Sequence, residues 1–312
     1  MRRFLAPLLL LVLALVAAGC GQDGSTSGAA APAGQEASFP VSIDTPGGKL
    51  TLERQPQRIV SMSPTATEML FAIGAGGQVT AVDSNSNYPK EAPTTDLSAY
   101  EPNLEAIAGY KPDLVVYSDD PGDLAAGLGK LGIPALAQPA AKVLDDTYAQ
   151  LDQLGRATGH LAEAGRLTGS MRAEISKITA AARPERPPTY YHELDKNLYT
   201  ATSSTFIGQL YKQLGMENIA DAADKEGTGY PQLSAEYVVK ADPDLVFLAD
   251  TRCCGQSART VAARDGWEQL TAVKSGGVVE LDDDIASRWG PRVVDFLKLV
   301  AAKVQSLEAV RS

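Results

Sequence analysis

Two segments of this 312-residue chain echo one another at identical internal spacing: Asn103–Tyr117, NLEAIAGYKPDLVVY, and Ser234–Leu248, SAEYVVKADPDLVFL. Each opens on a helix-capping residue, has a Glu two places on, and reaches Pro-Asp-Leu-Val seven places after that Glu. Proline ends a helix and Asp favours the turn that follows, so each segment reads as helix, turn and strand. One copy constrains little. Two, one in each half of the chain, imply lobes of similar construction.

The surrounding pattern agrees. FPVSIDTPGGKLTL reads as an edge hairpin turning at Pro46-Gly47-Gly48. RIVSMS is a short apolar strand, and in SPTATEMLFAIGAG Ser63 caps a helix that Pro64 opens and Gly74 stops. VTAVDS, DLVVYS, IPALAQ, TYYHEL, DLVFLAD and GVVELDDD are further strands, with helical stretches between several of them. Alternation of this kind argues for parallel sheets. From His160 to about Ala182 the pattern changes: Leu161, Ala164, Leu167, Met171, Ile175 and Ile178 recur at helical spacing without internal proline. The expectation is an α/β fold of two Rossmann-like lobes, 39–159 and 183–312, bridged by one helix over 160–182, roughly 35 Å long. Ligands of open α/β sheets bind beyond the carboxyl ends of the strands, which puts the ligand cleft between the lobes.

The amino terminus sets the compartment. Residues 1 to 20 combine Arg2 and Arg3, an apolar run too short to span a membrane and stay, and small residues before Cys20. That is an export signal, and its ending Ala17-Ala18-Gly19-Cys20 resembles the lipobox of bacterial lipoproteins, in which the cysteine is acylated. Residues 21–38 hold no bulky apolar side chain and read as a flexible tether. The expected location is therefore the outer face of the cytoplasmic membrane, held there by a lipid anchor.

Composition excludes several function classes. The chain has 28 Lys and Arg, two of them in the signal, against 38 Asp and Glu, so the mature net charge is about −12. Nucleic acid is no partner for such a body, since binding it requires a basic footprint. Two histidines, His160 and His192, cannot build a three-histidine metal site. Neither a Gly-x-Ser-x-Gly elbow nor a phosphate-cradling Gly-x-x-x-x-Gly-Lys loop is present. His192 and Glu193 are neighbours on a strand, and alternation sends them to opposite faces. An enzyme, such as a hydrolase, is not expected.

From Arg58 onward the chain resembles the substrate-binding lipoproteins of ABC importers for cobalamin and iron-siderophores. The carriers are RIVSMSPTATEMLFAIG, NYPKEA, NLEAIAGYKPDLVV, YPQLSAEYVVKADPDLVF and DDDIASRWGPRVV, in that order. The resemblance implies capture of a small molecule by a monomer and its delivery to a membrane permease, with no catalytic cofactor. It implies cobalamin or a related corrinoid as ligand, with a ferric siderophore or haem as the alternative. A membrane-tethered scaffold or sensor is the alternative of another class. Matching positions nominate Tyr88, Tyr100, Tyr199 and Tyr230 as ligand-binding aromatics; such side chains suit a large flat ligand with polar edges. Asp284 and Arg288 match an Asp and an Arg four apart that could contact ligand amides or phosphate; the alternative is a local salt bridge with Asp282 and Asp283 solvated. Glu105 and Glu236 match permease-docking glutamates, although a first-turn carboxylate is favoured by the helix dipole without any partner.

With Cys20 acylated, Cys253 and Cys254 in TRCCGQS are the remaining thiols. Outside the cell disulfides persist. Neighbouring Cα atoms lie closer than an ordinary bridge prefers, but the tight turn with Gly255 can accept a strained vicinal disulfide through a distorted or cis peptide. The expectation is such a disulfide stiffening the cleft rim; a metal-binding thiolate pair lacks nearby partners in sequence.

Overall fold

The computed structural model describes residues 38–45 and 48–311. The expected signal peptide with Cys20, all of the tether except Ser38, and Pro46 and Gly47 of the hairpin turn lie outside the described residues. Strands β1 (Val41–Thr45) and β2 (Gly48–Leu52) pair antiparallel as a sheet of their own rather than at the edge of a larger one. Their inward Ile43 and Leu52 reach the main core.

Two four-stranded sheets follow. The first contains β3 (Ile59–Met62), β4 (Val79–Val82), β5 (Leu114–Tyr117) and β6 (Ala135–Ala137) in the order β4-β3-β5-β6. The second contains β7 (Thr189–Glu193), β8 (Glu217–Asn218), β9 (Leu245–Leu248) and β10 (Val278–Glu280) in the order β8-β7-β9-β10. All pairings within both are parallel. Numbered within its own lobe, each sheet runs 2-1-3-4, so the echo read in the sequence is an echo of topology.

The repeated segments show how the sequence builds this. Asn103 and Ser234 cap their helices by accepting from Ala106 N (3.0 Å) and Tyr237 N (3.1 Å). The residue before each proline takes a left-handed conformation, Lys111 at φ 53° and Asp242 at φ 44°. The Asp after each proline then does more than favour a turn. Asp113 accepts from the backbone N–H of Arg58 at 2.9 Å, just before β3, and Asp244 accepts from that of Thr189 at 2.8 Å, the start of β7. Each aspartate therefore pins the third strand of its sheet beside the first.

In the chain, a helix over Leu161–Ala181, flanked by His160 and Ala182, separates the strands of the two sheets. It packs against two helices that sequence reading left unassigned, Leu144–Thr158 and the C-terminal Val293–Arg311. The spacing of Leu144, Tyr148, Leu151 and Leu154 carried the signal for the former.

Strand alternation divides each sheet between a private face and a shared one. Val115 and Val60 join a cluster confined to the first lobe, and Tyr191, Val246 and Trp267 one confined to the second. Their neighbours Val116, Ile59, Tyr190 and Phe247 join a single cluster with Leu154 and Ile175 from the central helices and Phe296 from the C-terminal helix. The lobes thus share one continuous core, and burial of apolar area makes it cohesive.

Ile175, 5% exposed, sits in that shared core. Ile175→Ala is expected to remove about 2–4 kcal/mol of stability from one cooperative unfolding transition, seen alike by far-UV circular dichroism and by Trp267 fluorescence. Two separated transitions, with only one displaced, would contradict a core common to both lobes.

Candidate functional site

A cleft of about 420 Å³ opens where the carboxyl ends of β3, β4 and β5 face the segment that follows β10. Its first-lobe wall includes Ser63 and Thr65 at a helix start, Asp83 and Asn87 after β4, and Asp119 after β5. Tyr100 stands at its edge, 78% exposed. The opposite wall is Asp284, Ser287, Arg288 and Trp289. Trp289 is held by the helix Leu144–Thr158, since its Nε1 donates to Gln150 Oε1 at 2.9 Å and its carbonyl accepts from Thr147 Oγ1 at 2.9 Å. The position is that expected for a doubly wound sheet, where the chain leaves the first strand in one direction and returns on its other side.

Under the cleft lies a buried ionic clamp. Glu68, 3% exposed, accepts from Arg288 Nη1 at 2.8 Å and from Arg292 Nε at 2.9 Å. Arg288 also donates to Asn87 Oδ1 (3.0 Å), the Asn85 carbonyl (2.9 Å) and Asp284 Oδ1 (2.7 Å). Its two terminal nitrogens therefore make four hydrogen bonds to protein. The local Asp284–Arg288 pair exists, but it belongs to a bridge that spans both lobes. Arg292 lies over the Tyr88 ring at 4.3 Å.

Of the expected ligand-contacting residues, Tyr100, Asp284 and Arg288 line this cleft and Tyr88 is attached to it through Arg292. Tyr199 and Tyr230 are half-exposed on the second lobe, outside the cleft lining, on two segments joined by hydrogen bonds such as Leu233 N to the Leu198 carbonyl at 3.0 Å. Glu105 and Glu236 are exposed in the first turns of their helices. Neither meets a basic side chain among the described residues. Glu68 was missed by sequence reasoning, because its partners stand more than 200 positions away.

Asp282 and Asp283 are not simply solvated. Asp282 caps the helix Asp283–Ser287 by accepting from Asp284 N at 3.0 Å. Asp283 accepts from the backbone N–H groups of Thr251 (3.0 Å), Arg252 (3.1 Å) and Cys253 (2.8 Å). Burial would raise its carboxyl, yet these bonds hold it below the usual carboxylate range. The turn so gripped carries Cys253 and Cys254, paired as a disulfide with Cα atoms 3.8 Å apart. That separation is the one a trans peptide sets. Gly255 follows at φ 69°, the left-handed region that its missing side chain permits.

His192 and Glu193 point to opposite faces of β7. His192 Nδ1 shares a hydrogen bond with the Tyr211 hydroxyl at 2.9 Å, and burial pushes its pKa down to about 4. Glu193 pairs with Arg264 at 2.5 Å. Near that pair lies Asp250, fully buried, with neither carboxyl oxygen bonded among the described residues. Burial, and then the charge of Glu193, push its pKa up to about 7. Among the described residues no group of three or more His, Cys, Asp or Glu side chains is arranged to hold a metal ion, and no helix is long and apolar enough to cross a membrane.

Comparison with known proteins gives this geometry a family. A model of the periplasmic binding protein matches residues 59–285. The chain is 30% identical over 306 residues, 95% of each sequence, to the uncharacterized ABC transporter substrate-binding lipoprotein YvrC of Bacillus subtilis (strain 168). It is 32% identical over 284 residues to a cobalamin-binding protein of Halobacterium salinarum, covering 87% of this chain and 76% of that one. Among solved structures, the periplasmic heme-binding protein RhuT from Roseiflexus sp. RS-1 in apo form superposes with a TM-score of 0.73 at 24% identity, covering 81% of this chain and 99% of that one.

The buried carboxyl gives a pH signature. Because the folded pKa of Asp250 lies above its unfolded value, the folded state holds the proton more tightly; the resulting stability is full below about pH 4 and lost as pH rises through about 7. Asp250→Asn is expected to raise stability at pH 8 by about 2–4 kcal/mol and to leave it little changed at pH 4. Equal effects of the substitution at both pH values in thermal denaturation would show that Asp250 ionises normally.

Proposed function

The chain is a member of the periplasmic binding protein family, and on that premise we propose that it captures cobalamin or a related corrinoid in the inter-lobe cleft and delivers it to an ABC importer permease. The observation that carries the ligand reading is the charge of the cleft. Its lining carries the carboxylates of Asp83, Asp119 and Asp284 among hydroxyls and amides; Asp83 is held by Ser86 and Asn85, Asp284 by Asn87 and Arg288, and Arg288 in turn is committed to Glu68. A wall of acceptors suits the amide N–H edges of a corrin. The same wall disfavours a ligand with several carboxylates, such as haem or an anionic siderophore, since like charges at short range repel and Arg252, the exposed arginine beside it, can meet a single anionic group. The cobalamin-binding relative supports the same choice. A haem ligand is favoured by one feature only, the exposed Tyr100 phenol at the cleft edge, because tyrosine is a known axial ligand of haem iron.

Tyr199 and Tyr230 are proposed to fold over the ligand from the second lobe, where their exposed rings are free to stack. The two copies of the helix-turn-strand unit place Glu105 and Glu236 at equivalent, unpaired positions, one on each lobe, and we propose that they dock the permease. The N-terminal cysteine, Cys20, is proposed to carry the lipid that keeps the body at the membrane. Capture and release require no chemical step, so no residue is assigned a catalytic role.

Titration of the soluble body with cyanocobalamin, haem and ferric siderophores, followed by quenching of Trp289 in the cleft wall, tests the ligand. Tight binding of the corrinoid alone is expected. Tight binding of haem or a siderophore, with no corrinoid complex, would overturn the reading. For docking, Glu105→Ala with Glu236→Ala is expected to abolish corrinoid uptake in cells while ligand affinity and melting temperature stay at their original values. Unimpaired uptake would leave both glutamates as helix-dipole residues.

A further inference from the structure

The arginines around the cleft fall into two kinds. Arg288 and Arg292 have side chains only 8% and 14% exposed, and both are bound to the buried Glu68. Withdrawing either toward a ligand would break a buried, hydrogen-bonded charge pair, a change that costs several kcal/mol. Arg252 is different. Its side chain is 61% exposed, and its Nη1 touches Asp282 at 3.0 Å and the cleft-lining Asp284 at 3.4 Å. Exposed pairs of this kind contribute little to stability, so Arg252 can exchange a carboxylate partner for a ligand oxygen at small cost.

Its backbone, in contrast, is fixed. Three consecutive N–H groups from Thr251 to Cys253 are bound to Asp283, and the single hydroxyl hydrogen of Thr251 is shared between Asp283 Oδ1 (2.8 Å) and the Leu281 carbonyl (2.7 Å). The Cys253–Cys254 disulfide and the bond from Gly255 N to the Thr251 carbonyl at 3.1 Å close the turn on its other side. The result is an exposed cation on a fixed backbone, beside a cleft whose lining includes the acidic Asp119 and Asp284. A guanidinium so placed matches a phosphate diester, which it can bind through two parallel hydrogen bonds.

We propose that Arg252 is a specificity-determining residue that engages the phosphodiester of the nucleotide loop of a complete corrinoid, and so separates cobalamin from incomplete corrinoids that lack the phosphate. This rests on the corrinoid reading above. Three neighbouring aspartates make the position selective: Asp282 and Asp284 neutralise Arg252 when no phosphate is bound, and Asp283 holds the turn that presents it. Arg288 then keeps the cleft floor in shape and takes no part in phosphate recognition.

The test compares cyanocobalamin with dicyanocobinamide, which has no phosphate, on the full soluble body and on Arg252→Gln. Arg252 is exposed and its side chain supports no core, so an unchanged melting temperature is expected for the variant. The variant is expected to bind cyanocobalamin about tenfold more weakly, the loss of one charge-assisted contact, and dicyanocobinamide as tightly as the original protein does. The same loss for both ligands, or for neither, would overturn the role of Arg252 while leaving the corrinoid reading intact. Failure of the unmodified protein to bind either corrinoid would overturn the reading itself and the inference with it.

Discussion

A single carboxylate buried beneath the cleft fixes the geometry around it. Glu68 belongs to the first helix of the first lobe, and its partners Arg288 and Arg292 precede and open the C-terminal helix. Burying three charged groups is unfavourable unless each is matched, and here each oxygen of Glu68 is bonded to a guanidinium nitrogen. The arrangement is specific because any slippage of one lobe on the other would leave a charge unpaired in a medium of low dielectric. Asn87 bridges the two walls as well, since it accepts from Arg288 and donates to Asp284 at 2.8 Å. The floor of the cleft is therefore a fixed polar plate.

The shared core acts in the same sense. With Ile59, Val116, Tyr190 and Phe247 packed into one cluster around the central helices, the sheets cannot separate by much without opening apolar surface to water. A helix of 21 residues without proline resists bending between them. Large hinge rotation, the usual means by which a two-lobe protein closes on its ligand, is opposed here by both packing and charge. Adaptation is left to exposed side chains such as Tyr100, Tyr199, Tyr230 and Arg252, whose rotamers change readily.

The duplicated lobe also keeps the proposed docking residues apart from the proposed ligand site. Ligand-facing loops follow the carboxyl ends of strands, whereas Glu105 and Glu236 stand in the first turns of the helices that lead into β5 and β9. Because the Pro-Asp turns pin those helices to the sheets through Asp113 and Asp244, the two glutamates keep a fixed relation to the cleft.

The order of strands and helices was legible in the sequence because its causes are local. Ser63, Asn103 and Ser234 cap, prolines terminate, apolar runs of four or five residues form buried strands, and the repeated segment announced two lobes of one topology. The helix from Leu161 was plain from its periodicity, while Leu144–Thr158 escaped notice although its spacing carried the same signal. The direction in which His192 and Glu193 diverge also followed from alternation alone. What no local pattern contains is the partnership of side chains far apart in the chain. Arg288 read either as a ligand contact or as the partner of Asp284, and its bond to Glu68, 220 positions away, left no local trace; the grip of Asp283 on the turn at Thr251 appears only in space; and Asp250 became unusual only when folding removed water from it and supplied no hydrogen-bond partner for its carboxyl among the described residues. Sequence determined the elements, through hydrogen bonding and steric limits within a few residues. Tertiary structure decided which charges are committed and which remain available, because desolvation and ionic pairing depend on distance in space.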